Sequence, residues 1–301
     1  MEIGAELAVA PTRIRLDIAY DGSAFSGWSR QPGLRTVQGE LEHALATMFR
    51  RHAPAPTLVV AGRTDAGVHA AGQVAHVDLT AGQLAALLKP RRGATRQPDA
   101  GAALAHRVNG ILGAVSDIVV TRGTLASTGF DARFSALWRR YRYRIADRSA
   151  THDPLQRHRT LWLPATLDVQ AMDEAAHSLP GLHDFAAYCK PREGATTIRT
   201  LQEFTWQRDT DGVLIATVKA DAFCHSMVRS LVGGCVAVGE GKLAARDLAL
   251  LREAGDRTSA FTVVPARGLT LMEVGYPDDA QLAQRAEQTR ARREMLPRGT
   301  L

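Results

Sequence analysis

Lysine is almost missing from this chain. Its 301 residues hold 4 lysines against 33 arginines, within a net charge of +6. That imbalance is what GC-rich coding produces, and it is also what a polyanionic partner favours. The guanidinium stays charged and grips phosphate through two parallel hydrogen bonds. Cysteine is scarce as well. Cys189, Cys224 and Cys235 form no C-x-x-C pair and leave an odd one over, so neither a disulfide framework nor a zinc site is expected. Cys224-His225 with Cys235 has a ligand-like look, but Cys235 lies in an apolar helical run and reads as core. No stretch approaches the roughly 18 uncharged apolar residues of a membrane span. Met1-Glu2-Ile3-Gly4 offers an early acid, no basic segment and no apolar core, so no secretory signal is expected and the cytoplasm is the expected compartment. A G-x-G-x-x-G turn after an early strand is also lacking, which excludes a doubly wound dinucleotide fold.

What is present is 45% apolar and 23% charged, the make-up of a globular protein with a real core. At about 150 residues per domain, the length suggests two domains. Ile14, Leu16, Ile18 and Tyr20 alternate with polar or small residues and predict a strand, closed by a turn at Tyr20-Asp21-Gly22-Ser23. Thr36 is placed to cap a helix carrying Val37, Leu41, Leu45 and Met48. Leu58 to Ala61 and Val74 to Val77 read as strands, Gln83 to Leu88 as a short helix, and 90–100 as a surface loop. A helix through Leu104, Val108 and Leu112, a strand at Ile118 to Val120 and a strand around Tyr141 complete a first half, 1–150. The polar run from Asp147 to Arg159 is the candidate boundary.

The second half, 151–277, has the same grammar. A helix spans Leu167 to Leu179 with Asp168 as its cap. Strands at Ile198 to Trp206 and Val213 to Val218 flank the Asp211-Gly212 turn. Helices over Met227 to Val236 and Leu243 to Leu251 and a strand over Leu269 to Val274 follow. Residues 278–301 form a basic tail with Arg285, Arg290, Arg292, Arg293 and Arg298, expected to be a frayed, flexible helix. Both halves are α/β with mostly antiparallel spacing.

Two segments carry candidate chemistry. Ala61-Gly62-Arg63-Thr64-Asp65-Ala66-Gly67-Val68-His69 puts one carboxylate between small residues after a strand, with glycines that permit a tight turn. Asp65 there is either a reactive group or the cap of its own Asx turn. In Arg140-Tyr141-Arg142-Tyr143-Arg144-Ile145, strict alternation puts tyrosines on one strand face and arginines on the other. That pattern suits a nucleic-acid surface, with stacking on one side and phosphate on the other, and equally an ordinary half-buried strand.

Taken in order, the blocks resemble the tRNA pseudouridine synthase A (TruA) family over residues 12 to 277. Tyr20-Asp21-Gly22-Ser23, Gly27-Trp28, Arg30-Gln31 and Thr36-Val37-Gln38-Gly39-Glu40-Leu41-Glu42 precede the Gly62 to His69 block and Gly72-Gln73-Val74. Phe130-Asp131-Ala132-Arg133-Phe134-Ser135-Ala136, Arg140-Tyr141-Arg142-Tyr143, Phe223-Cys224-His225-Ser226-Met227-Val228-Arg229, Asp256-Arg257-Thr258 and Gly268-Leu269 follow. The resemblance implies an isomerase that converts uridine to pseudouridine at positions 38, 39 and 40 of the tRNA anticodon stem-loop, without cofactor or metal, as a homodimer. It implies two ferredoxin-like halves forming a continuous sheet around a central cleft. Asp65 aligns with the catalytic carboxylate, Tyr141 with a tyrosine that stacks on the target base, Arg229 with an arginine paired to that carboxylate, and Arg63 with one near the extruded nucleotide. Two departures stand out: the longer Arg91 to Gly101 segment, and Arg107-Val108-Asn109-Gly110-Ile111-Leu112, which lacks the family's usual Leu and Pro.

Two rival readings remain at this point. One is a silent tRNA-binding protein with the same basic surface. The other is an aspartic-protease-like turn at Thr64-Asp65-Ala66-Gly67, which would need a second, paired carboxylate block that the sequence does not repeat.

Overall fold

The computed structural model describes residues 10–89, 99–192, 194 and 196–294. Its strands are β1 (Thr12–Tyr20), β2 (Leu58–Val60), β3 (His69–Leu79), β4 (Ile118–Leu125), β5 (Trp138–Ala146), β6 (Leu161–Trp162), β7 (Gly181–Asp184), β8 (Ile198–Arg208), β9 (Leu214–Ala220) and β10 (Leu269–Gly275). The helices are α1 (Val37–Met48), α2 (Ala81–Leu88), α3 (Ala100–Leu112), α4 (Val169–His177), α5 (Met227–Gly239), α6 (Asp247–Ala254) and α7 (Leu282–Glu294).

Local chemistry accounts for these elements. In β1 the alternating Ile14, Leu16, Ile18 and Tyr20 are all buried, each aliphatic worth roughly 1.5–3 kcal/mol against an exposed position. Helix α1 starts where Thr36 Oγ1 accepts the Gly39 N–H, and α4 where Asp168 accepts from the Gln170 and Ala171 N–H groups. Helix α2 carries a full capping box between Thr80 and Gln83.

All ten strands join one sheet, mostly antiparallel, whose main path runs β4-β1-β3-β10-β5-β9-β8-β7. Two copies of one pattern lie within it. The run β1-α1-β2-β3-α3-β4 orders its strands β4-β1-β3-β2, every neighbouring pair antiparallel. The run β5-α4-β8-β9-α5-β10 orders its strands β10-β5-β9-β8, again antiparallel. Both are the ferredoxin-like split βαβ arrangement. The strand carrying Tyr141 was assigned to the first half from sequence; by hydrogen bonding it is the first strand of the second unit.

The seam is a short parallel pairing of β10 on β3, Thr270 opposite His69 and Leu271 opposite Ala70. Strand β2 pairs on the same edge of β3 but only with Ala75 to Val77. Two strands therefore share one edge, and the chain must leave the sheet where β2 stops and β10 takes over. Residues 61–68 are that departure, so the Asp65 loop is a product of the seam. One continuous apolar core runs beneath both units, including Trp28, Tyr143, Phe185, Tyr188 and Phe204.

Two expectations change. Cys189 and Cys224, 35 residues apart, are joined in a disulfide with their Cα atoms 5.7 Å apart, whereas sequence spacing argued against one. The end of a 3-10 turn (Ala186–Tyr188) and the turn before α5 bring them together, a long-range juxtaposition that spacing cannot reveal. Cys235 is free and fully buried, as expected. The basic tail is not loose through α7: Leu282 and Ala286, one helical turn apart, are buried, and Arg290 pairs with Asp131 at 2.9 Å. Of the longer Arg91 to Gly101 segment, residues 91–98 lie outside the described residues, as does Arg298, while Ala100 and Gly101 open α3.

Candidate active site

Six residues hold the loop that carries Asp65. Beneath it, Tyr20 Oη lies 2.8 Å from Thr64 Oγ1 in a buried contact. Gln73 Nε2 donates to Tyr20 Oη (3.3 Å) and to Gly62 O (2.9 Å), so one amide fixes the loop on both sides of Arg63. Burial pushes the Tyr20 phenol up to about 12, which keeps its proton in place for this network. From one flank, Trp28 N–H donates to Thr64 O at 3.1 Å and Gly67 N–H to Phe25 O at 3.2 Å. Gly27 stands at φ +97°, and a Cβ there would meet Thr64 O at 2.9 Å.

From the other unit comes Arg139, on the same face of β5 as Tyr141. Its Nη2 donates to Ala61 O (2.6 Å) and its Nη1 to Asp221 O (2.7 Å), tying the start of the loop to the end of β9. Burial pulls its guanidinium below the ordinary arginine range, with Tyr276, Tyr141 and Asp221 opposing the shift. His69 closes the loop. Its Nδ1 accepts the Gly22 N–H at 3.0 Å and its Nε2 lies 3.1 Å from Arg267 O, which places the ring proton on Nε2. Asp21 Oδ1 also lies 3.1 Å from Nδ1.

Asp65 itself is held differently from its neighbours in kind. Asp21, Asp131, Asp153, Asp168 and Asp209 each accept a nearby backbone N–H, the Asx pattern. The Asp65 carboxylate accepts no hydrogen bond among the described residues, and its turn is made by the main chain, Val68 N–H to Asp65 O at 3.2 Å. The Asx-turn alternative is thereby removed. The side chain is 36% exposed, and the group within ion-pair range is His225, Nε2 to Oδ1 at 3.7 Å.

Tyr141 lies within reach of the Asp65 charge, and no ion pair joins Arg229 to that carboxylate among the described residues. Tyr141 is buried to 8% exposure and meets Phe223 edge-on, ring centroids 5.2 Å apart. Burial drives its phenol well above the usual range, with Tyr20 and the Asp65 charge adding to the shift and Arg139 opposing it. Arg229 makes no ion pair with Asp65 within 4.0 Å, contrary to the pairing that the resemblance implies. Its Nε donates to Val264 O at 2.7 Å, which ties α5 to the segment before β10. Arg63 is exposed on the rim of the loop.

The alternation in β5 is as the sequence implies, yet its faces are used unequally. Tyr143 is fully buried and donates its hydroxyl to Pro265 O, so the tyrosine face is mainly core. On the reverse face Arg140 pairs with Glu273 and Arg144 approaches Asp209 at 3.7 Å, leaving Arg142 the exposed cation of the three. A cavity of about 210 Å³ on that side is lined by Arg144, Thr160, Trp162 and Asp211 among others, and Asp65 lies outside it.

Sequence reading missed Arg139, Gln73 and His225. Arg139 had a signal, since the period of two extended back from Tyr141 reaches it. Gln73 and His225 had only their places in recognised blocks.

A family model described as tRNA pseudouridine synthase matches residues 175–277. Over nearly its full length the chain is similar to proteins named tRNA pseudouridine synthase A. It is 67% identical over 285 residues to that of Leifsonia xyli subsp. xyli, covering 94% of this chain and 98% of the relative. It is 52% identical over 288 residues to that of Streptomyces avermitilis, with 95% and 96% covered. It is 53% identical over 279 residues to that of Frankia casuarinae, with 93% and 94% covered.

Proposed function

The chain belongs to the tRNA pseudouridine synthase family, isomerases acting on tRNA, and from that premise we propose that it converts uridine to pseudouridine at positions 38, 39 and 40 of the anticodon stem-loop with Asp65 as the essential carboxylate. The observation that carries this reading is the state of Asp65. It is an aspartate on a held loop, at the seam of two units, whose carboxylate accepts from no backbone donor among the described residues.

The reaction breaks the N1–C1′ bond, turns the uracil, and joins C5 to the same sugar carbon. The C5 proton leaves and N1 gains one, so the change is neither redox nor hydrolytic. An ionised carboxylate serves it by attacking the sugar or by removing a proton from it, and both routes need lone pairs that the fold has not used. A second acid of the kind glycoside hydrolysis uses is not required. Bases within a stem must be extruded at a cost of a few kcal/mol. Stacking on Tyr141 would offset roughly 1–3 kcal/mol of that.

Exposed Arg63 and Arg142 are suited to phosphate of the tRNA, with Arg229 at the α5 side. The homodimer typical of the family would extend this surface over a second copy. No helix among the described residues is long and apolar enough to cross a membrane. The cytoplasm is the proposed compartment because the tRNA substrate is there.

The test is to incubate wild type and Asp65→Ala with unmodified tRNA and map pseudouridine. Product from wild type and none from the variant is the expected result. Product from Asp65→Ala at the wild-type rate would remove Asp65 from the chemistry, and no product from wild type on any tRNA would leave a binding protein.

A further inference from the structure

The carboxylate of Asp65 raises a positional question that its loop does not answer. Tyr20, Gln73, Trp28 and Arg139 fix the backbone from Ala61 to Thr64. None of them touches the carboxylate, whose terminal torsion is intrinsically broad. A group that must meet one sugar atom within a few tenths of an ångström needs something to set that torsion.

We propose that His225 is the positioning residue for Asp65, a role that rests on Asp65 being the reacting carboxylate. Its Nε2 stands 3.7 Å from Oδ1, beyond hydrogen-bond length and within charge range, a spacing that catalytic pairs show before substrate tightens them. By engaging Oδ1 the imidazole leaves Oδ2 to face the ribose.

The segment that delivers the ring is constrained on every side. Cys224 is bonded to Cys189, and the adjacent Lys190 N–H donates to His225 O at 2.9 Å. Met227 N–H donates to Cys224 O at 3.1 Å and starts α5 directly after the ring. Between them Ser226 sits at φ +65°, the sole non-glycine residue in the left-handed region among those described. Non-glycine residues avoid that region, and they persist there where surrounding contacts enforce it. Phe223, on the other side of Cys224, packs on Tyr141. One short segment thus braces both the carboxylate and the tyrosine. Arg229, the cation the resemblance would assign to the carboxylate, has its Nε held by Val264 O instead.

The experiment compares wild type, His225→Ala and His225→Gln on an unmodified tRNA transcript, measuring single-turnover rate and the half-saturating tRNA concentration. His225→Ala should lower the rate about tenfold or more with half-saturation within about twofold, as expected for lost orientation. His225→Gln, whose amide nitrogen reaches the place of Nε2, should recover most of the rate. A full rate in His225→Ala overturns the proposal, as does raised half-saturation at unchanged rate, which would make His225 an RNA contact. A His225→Gln variant that melts like wild type and is as slow as His225→Ala overturns it too. With Asp65→Ala assayed beside them and forming no product, each of these results leaves Asp65 in its role. Product from Asp65→Ala at the wild-type rate would instead fell the Asp65 reading and this one with it.

Discussion

Gly27→Ala should separate the placement of Asp65 from the stability of the fold. Gly27 has φ +97°, and an added Cβ would stand 2.9 Å from Thr64 O, 3.2 Å from Ala66 N and 3.3 Å from Asp65 C. All three are main-chain atoms of the loop, so no side chain can swing aside. Gly33 is the control: φ +71° and nothing within 4 Å of a Cβ. Both substitutions force a left-handed alanine, at about 1–2 kcal/mol. Only Gly27→Ala adds crowding, at about 1–3 kcal/mol. Urea unfolding should therefore show a loss of roughly 1–2 kcal/mol for Gly33→Ala and roughly 2–5 kcal/mol for Gly27→Ala. Relief of the contact moves the loop by a few tenths of an ångström. At about 100-fold per ångström of misplacement, single-turnover pseudouridine formation should fall about four- to tenfold. Gly33→Ala should keep the wild-type rate. Equal rates in the two variants would refute the claim that the Gly27 contact sets the position of Asp65.

Other perturbations probe the frame around the site. Buried His76, whose Nδ1 accepts the Ala132 N–H, has its pKa lowered to about 4 by burial and by Arg13. The unfolded chain binds that proton near pH 6.5, so stability is complete above 6.5 and should decline by up to about 3 kcal/mol as pH falls to 4. The lowered carboxylates Asp21, Asp78 and Asp147 act below that window. Melts of wild type and His76→Gln over that range check it, and identical slopes would contradict it. Reducing the Cys189–Cys224 bridge frees a loop of 35-residue separation and should cost about 3–4 kcal/mol. A melting temperature indifferent to reductant would refute this. Asp147, with no side-chain exposure, accepts from both Arg208 Nη groups at 2.9 and 3.0 Å. Arg208→Ala strands a buried charge that keeps only its Ser149 and Leu167 donors, and should lose about 3 kcal/mol in urea. A loss below 1 kcal/mol would show that those donors suffice.

How much of this was legible follows the range of the interaction. Period-two runs such as Ile14 to Tyr20 and caps such as Thr36 and Asp168 are local, and the structure has them where the sequence implied. The ordered blocks around Asp65 identified the family because their residue types are specific. Partnerships across the chain were not legible. The resemblance pairs Arg229 with Asp65, while its Nε donates to Val264 O; aligning a block does not tell which acceptor lies nearer. Cys189 and Cys224 look unrelated until two turns meet. Tyr143 resembled Tyr141 in every sequence respect. Only packing distinguishes them, one sealed in the core and the other slightly exposed and within reach of the Asp65 charge.

The deepest of these long-range facts is the sharing of one strand edge. Had β2 run the length of β3, the first unit would close on itself and residues 61–68 would be an ordinary hairpin turn. Because β10 holds the His69 end, the chain is expelled there, and both units can grip what is expelled. The grip is visible atom by atom: Arg139 links Ala61 to Asp221, and His69 reaches Arg267 O from the first unit into the second. Gly72 permits it, since a Cβ there would strike Met272 O in β10. Asp65 thus owes its position to contacts that neither unit possesses alone. Its carboxylate needs no hydrogen bond from the described residues to stay in place, because the backbone beneath it is held from both sides.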